Sequence, residues 1–220
     1  MADVIEIKHK ESGEVLLQFE VAEFSECKLT GAQLPFADMA GLDLSGCNFS
    51  NSDLRGVDFS NANLSGCNFH SACLQESNFE NANLSKSDMT DVIMPDSNLS
   101  GANLKKTIFR YANLHACIIK EADLSEADAS MADFSEANLR GSNLQGTDFR
   151  GTDLRYADLT KTILTGANLA NAKLACTRIM RQKAAPAARP RTRSRKPGSA
   201  ARSGTKKSAS KRSPWWKPWG

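Results

Sequence analysis

The groups able to do chemistry in this chain are few, and two of their spacings invite a site. Cys27, Cys47 and Cys67 are twenty residues apart, and Cys67, His70 and Cys73 form a C-x2-H-x2-C run. The first pattern suggests a bridged stack of thiols. The second has the thiolate and imidazole donors of a tetrahedral zinc site. His9, His70 and His115 are otherwise isolated from one another. The run Gly204-Thr205-Lys206-Lys207-Ser208 lacks the upstream glycine and the strand that frame a phosphate loop.

Whether any of these groups meet depends on the elements that carry them, and those elements repeat. From Phe24 in steps of five, all 32 positions to Ile179 are Leu, Phe, Met or Ile, except Ala129. Two residues before each, the residue is small almost every time, as at Ala32, Ala37, Cys47 and Ser52, with Leu42 the bulkiest exception. Helical neighbours recur at three and four, so a step of five never builds a stripe on a helix. A strand puts residues two apart on one side, which matches the small and large pair, but a straight strand would need a third apolar residue. That position is usually polar or Gly, so the chain must turn after each pair, with Ser, Gly, Asn and Asp at the turn.

The repeated A-x-L-x-x unit, as in Ala62-Asn63-Leu64, Ala82-Asn83-Leu84, Ala122-Asp123-Leu124 and Ala167-Asn168-Leu169, resembles the pentapeptide-repeat proteins over about residues 20 to 180. The resemblance implies an all-β fold, a right-handed quadrilateral β-helix with four five-residue units per coil. The central Leu or Phe and the small residue before it would fill the shaft. Residues twenty apart should then stack. Phe49, Phe69, Phe109 and Phe149 share one such column and Phe59 and Phe79 the opposite one, while the two columns between are almost pure Leu. About eight coils at roughly 4.8 Å give a rod of about 38 Å.

This frame decides whether these groups meet. It points Cys67 inward and His70 and Cys73 outward, which separates the three zinc donors, so no metal and no cofactor is expected. Cys27, Cys47 and Cys67 take inward positions otherwise held by Ala or Ser, and are expected as buried small hydrophobes rather than a disulfide. Three parts follow: a capping hairpin at 1–20, the β-helix at 21–180 and a disordered basic tail with a Trp-rich end at 181–220. In the cap, strands at 4–8 and 15–19 flank the turn Glu11-Ser12-Gly13-Glu14. An unprotected lower end would favour a homodimer through the C-terminal end of the rod.

Charge divides the chain. Residues 178–220 hold fourteen Lys or Arg and no acid, against fourteen bases and twenty-five acids in residues 1–177. Arg189, Arg191, Arg193, Arg195, Lys196, Arg202, Lys206, Lys207, Lys211 and Arg212 lie among Ser, Pro and Ala. They form either a polyanion-binding arm for nucleic acid or a solubilising tail. All three Trp of the chain, Trp215, Trp216 and Trp219, lie in its last seven residues and suit a short protein-docking motif. On the rod, Asp128 and Asp148 stack in one column and Asp133 and Asp153 in another, an acidic face for a partner.

These features suit a non-enzymatic protein-binding scaffold. The alternative that the resemblance implies is a DNA mimic that binds DNA gyrase, in topoisomerase modulation or quinolone resistance. Ile93, Ile108, Ile118 and Ile163 replace the usual outward Asn or Asp in four different columns and are expected to be scattered rather than one stripe. With no signal pattern and no transmembrane segment in view, the expected compartment is the cytoplasm, with nucleoid association if the tail holds DNA.

Overall fold

The structure, a computed structural model, describes residues 4–20 and 27–179. The ten tail cations and Trp215, Trp216 and Trp219 lie outside the described residues. In residues 27–179 the backbone coils with a period of twenty. Each outward residue just before a central Leu or Phe pairs in parallel with the residue twenty later, from Lys28 with Asn48 to Asp158 with Arg178. Three backbone N–H groups per five residues reach a neighbouring coil: Phe49 to the Asn68 carbonyl at 2.7 Å, Asn51 to His70 at 2.9 Å, and Asn48 back to Cys27 at 2.9 Å. A fourth closes the corner, as Ala62 donates to the Phe59 carbonyl at 3.0 Å. That use of four backbone donors in every five makes so short a side stable.

Each corner turns on a residue in the left-handed region, with φ of 59° at Asn51 and Asn61, for example. Glycine and Asn tolerate this best, which is why they crowd the turns. Outside most sides, an Asp or Asn side chain caps the corner. Asp58 Oδ1 accepts from the Ser60 N–H at 2.9 Å and Asn68 Oδ1 from the His70 N–H at 2.9 Å. The amides also form ladders between coils, Asn83 to Asn63 and Asn103 to Asn83, each at 3.0 Å.

The shaft is filled. Phe49 stacks on Phe69 with centroids 5.0 Å apart and planes 6° off parallel, Phe59 on Phe79 at 5.2 Å, and the two columns meet edge to face at 5.8–6.3 Å. Burying each such ring contributes about 2–3 kcal/mol before chain entropy. The inward Ser and Thr are also satisfied: Ser52 Oγ donates to the Leu29 carbonyl at 2.7 Å and Thr147 Oγ1 to the Leu124 carbonyl at 2.8 Å. One core residue departs from the expected alternation. Phe134 stands in a Leu column, edge to face with Phe109 at 6.2 Å and Phe149 at 5.8 Å. The ring occupies the space that Ala129 leaves between those two phenylalanines.

The cap is a hairpin of β1 (Val4–His9) and β2 (Val15–Glu20), antiparallel, with a bulge between Ile7 and Lys8. The rod joins it through β1, whose Lys8 and His9 pair with Asp38 and Ala37 of β3 (Ala37–Asp38), giving the order β2-β1-β3. Ile7 is fully buried and extends the core upward. Lys10 fixes the joint: its Nζ donates to the Gly56 carbonyl at 2.8 Å and sits 5.4 Å from the Phe36 ring centre. A Cβ at Gly56 would come within 2.5 Å of that ring, so Gly56 has a packing reason as well as its φ of 64°.

Candidate functional site

With the interior packed, the outward positions carry whatever this rod recognises. We call the four sides A to D after their outward columns. Side A carries 48, 68, 88, 108, 128 and 148; side B carries 53, 73, 93, 113, 133 and 153. Side C carries 58, 78, 98, 118 and 138; side D carries 63, 83, 103, 123, 143 and 163. The expected acidic face therefore falls on two adjacent sides, Asp128 and Asp148 on A and Asp133 and Asp153 on B. Over residues 87–166, sides A and B with their corners hold eight acids and three bases, whereas C and D hold four acids and five bases. Over this stretch the rod is acidic along one flank.

Three of the four acids have cationic partners. Arg110 bonds Asp128 at 2.6 Å, Arg150 bonds Asp148 at 2.6 Å, and Arg155 bonds Asp153 at 2.8 Å with Lys173 at 3.3 Å. Asp133 caps the Ser135 N–H at 2.8 Å and has no ion pair among the described residues. The signal was present in the sequence as D-x-R, in Asp53-Leu54-Arg55, Asp148-Phe149-Arg150 and Asp153-Leu154-Arg155. Residues two apart on a side share its outward direction. The hydrogen bond from Arg150 holds the Asp148 carboxyl below its usual range, and the one from Arg155 takes Asp153 down to about 2.

A pH test follows from Asp153. Its folded value lies below the usual carboxylate value of about 3.9, so its stabilisation is present above that value and is lost as pH falls toward about 2. Asn already holds the same column at Asn113. Asp153→Asn should therefore lower the melting temperature at pH 7, and the gap from the natural chain should close between about pH 4 and pH 2. Melting curves across that range check it; a gap independent of pH contradicts it.

The cysteines sit where the frame sends them. Cys67 is inside the shaft and donates to the Leu44 carbonyl at 3.0 Å, while His70 and Cys73 are half-buried on the outer sides. Burial pushes the Cys67 and Cys117 thiols up to about 12. Cys27 and Cys47 bring their sulfurs to 2.7 Å at the top of the same column.

The exposed apolar residues are less scattered than their outward positions imply. Corner residues, which the focus on outward columns missed, supply the three most exposed: Tyr156, 60% exposed, stands apart on the B–C corner, and the other two are Tyr111 and Met131, 62% and 59% exposed. These two follow one another down the A–B corner. Ile108 lies on side A beside it and Ile93 on side B, while Ile118 and Ile163 stand singly on C and D. At the lower end Leu174 and Ile179 are also exposed, beside Lys173 and Arg178.

Parallel pairing at twenty residues, left-handed corners and a filled four-sided shaft define a right-handed quadrilateral β-helix. The chain belongs to the pentapeptide-repeat family, whose repeats, eight copies, match residues 22–61, 62–101, 97–134, 117–155, 132–171 and 153–179. A trypsin-treated variant of QnrB1, a plasmid-mediated fluoroquinolone resistance protein, is 22% identical over 71% of this chain and 79% of its own, with a TM-score of 0.57. That likeness shows the fold alone. HetL, a pentapeptide repeat protein involved in heterocyst differentiation regulation from the cyanobacterium Nostoc sp. strain PCC 7120, is 27% identical over 68% of this chain and 83% of its own, with a TM-score of 0.22. A pentapeptide repeat protein from the Arabidopsis thaliana thylakoid lumen is 31% identical over 53% of this chain and 70% of its own, with a TM-score of 0.31. No curated protein matches the chain in sequence. Among the described residues, no helix is long and apolar enough to cross a membrane.

Proposed function

We propose that this protein is a non-enzymatic binding scaffold that works in the cytoplasm and holds a partner protein along one flank of its rod. The observation that supports this is the charge division: five net negative charges on sides A and B over residues 87–166, against one net positive on C and D. A rigid repeat array presents such a flank at fixed spacing, which is how solenoids recognise extended partners. A photo-crosslinking residue at Asp133 on side B and another at Asn143 on side D test this in cells that make the full chain. Discrete protein adducts from position 133 and none from 143 are expected. Equal adducts from both sides would contradict the reading.

The ten tail cations, Arg189 to Arg212, form the second half of this proposal, an arm that neutralises phosphates without reading sequence. Its DNA affinity should fall with salt at a log–log slope of about −0.9 per phosphate neutralised. The gyrase-directed mimic is the second reading, and the acidic flank favours it. The Arg partners of Asp128, Asp148 and Asp153 weaken it, because they break the run of uncompensated charge that a duplex backbone would show. Inhibition or protection of gyrase supercoiling by the full chain would favour the mimic over the scaffold. A homodimer through the lower end would cover the exposed Leu174 and Ile179 there.

A further inference from the structure

We propose that the A–B corner between residues 88 and 136 docks a basic amphipathic segment of the partner protein, a reading that rests on the scaffold function and gives its partner a chemistry. Three independent features coincide there. The first is conformational. Tyr111 and Met131 have φ of 58° and 62°, a region where bulky side chains are disfavoured and Gly or Asn is favoured. Backbone bonds from Asp91 to the Arg110 carbonyl and from Tyr111 to the Ser130 carbonyl stack Asp91, Tyr111 and Met131 in one column. Two other large apolar residues stand at left-handed corners: Phe36, 39% exposed, is partly covered by His9 and Lys10, and Tyr156, 60% exposed, stands apart on the B–C corner. Tyr111 and Met131 have no such cover among the described residues, and both project into solvent. Gly151, next in the column, leaves the space Met131 occupies, since a Cβ there would come within 2.5 Å of its sulfur.

The second feature is Ile108, 36% exposed, directly between Asp88 and Asp128 on side A. An Asn or Asp at this position caps the following corner, as Asp128 does for Ser130 at 3.1 Å. Ile108 forgoes that bond to the Arg110 N–H and shows water a methyl-rich surface. Ile93 differs: the residue after its central neighbour is Pro95, which has no N–H to cap. Ile93 thus extends the apolar surface at no cost in hydrogen bonding.

The third feature is charge. Asp88, Asp91, Asp96, Asp133 and Glu136 border this apolar strip and form no ion pair among the described residues, whereas the nearby Arg110, Arg150 and Arg155 are each held by an Asp. An apolar strip rimmed by uncompensated carboxylates complements Lys or Arg around apolar anchors and repels nucleic acid. Two coil steps separate rows 88 and 128, about 10 Å, which two to three turns of helix cover.

The probe is a fluorescein-labelled 18-residue Lys/Leu peptide with its Leu on one helical face, beside a scrambled peptide of the same composition and a Glu-for-Lys version. Binding to the full chain is read by anisotropy at physiological salt. The amphipathic cationic peptide is expected to bind, and the combined change Ile108→Asn, Tyr111→Gly and Met131→Gly to weaken it about tenfold or more. These substitutions install residues the fold favours at those positions, so the melting temperature should hold or rise. Ile163→Asn on side D should leave binding unchanged. Equal binding of the scrambled peptide, unchanged binding by the triple variant, or no binding by the full chain overturns the proposal. Loss of peptide binding with crosslinking at 133 retained would reject this chemistry while leaving the scaffold in place.

Discussion

Phe69→Ala is expected to cost about 3–5 kcal/mol, the largest single effect in the rod. The ring is fully buried, stacked on Phe49 at 5.0 Å and edge to face with Phe59 and Phe79. The site has little means to collapse, because ladder hydrogen bonds pin the backbone on all four sides of the shaft. A void therefore stays open, and its lining loses dispersion contacts as well as burial. Each coil contacts only its neighbours, so the loss weakens both interfaces of one coil and favours a break there. Urea unfolding should show a lower midpoint, with a second transition if the coils below unfold separately. A loss under about 1 kcal/mol would mean that the coils relax around the gap, contrary to the packing described.

The second large effect is the exchange between Ala129 and Phe134. Ala129→Phe alone should destabilise by about 1–3 kcal/mol through overpacking, because Phe134 already fills the space between Phe109 and Phe149. Phe134→Leu alone should cost about 1–2 kcal/mol by leaving a void. Together they restore the regular column of rings and should nearly cancel, a coupling of about 2–5 kcal/mol in a double-mutant cycle. Additive losses would show that the two positions do not share one space.

Ala129 also shows how far the sequence could be read. The step of five determines the coil, because only a turn after every pair can bury both the small and the large ladder. The twenty-residue stacking of the phenylalanines follows from it. Side-chain compensation between neighbouring columns does not, since it depends on where a ring leans within the shaft. For the same reason the docking of the cap through β1 rather than β2 was not legible: both strands alternate, and the choice rests on the pairing of Lys8 and His9 with Asp38 and Ala37.

The outer surface was legible in composition but not in balance. The columns Asp128–Asp148 and Asp133–Asp153 were visible as acids twenty apart, and their Arg partners were overlooked because those of Asp148 and Asp153 lie two residues along the chain and that of Asp128, Arg110, lies on the neighbouring coil. Attention to outward positions alone separated Ile93 from Ile108. The corner residues Tyr111 and Met131 join them, and their signal was a large side chain at a step where Gly and Asn recur.

On the scaffold reading, recognition should be confined to the flank where sides A and B meet. A benzophenone-bearing version of the cationic amphipathic peptide, crosslinked to the full chain and mapped by mass spectrometry, tests it most directly. Adducts should concentrate within residues 88–96, 108–116 and 128–136 and be absent from the outward residues of side D, Asn103, Asn143 and Ile163. Adducts spread evenly over all four sides, or concentrated on side D, would contradict it.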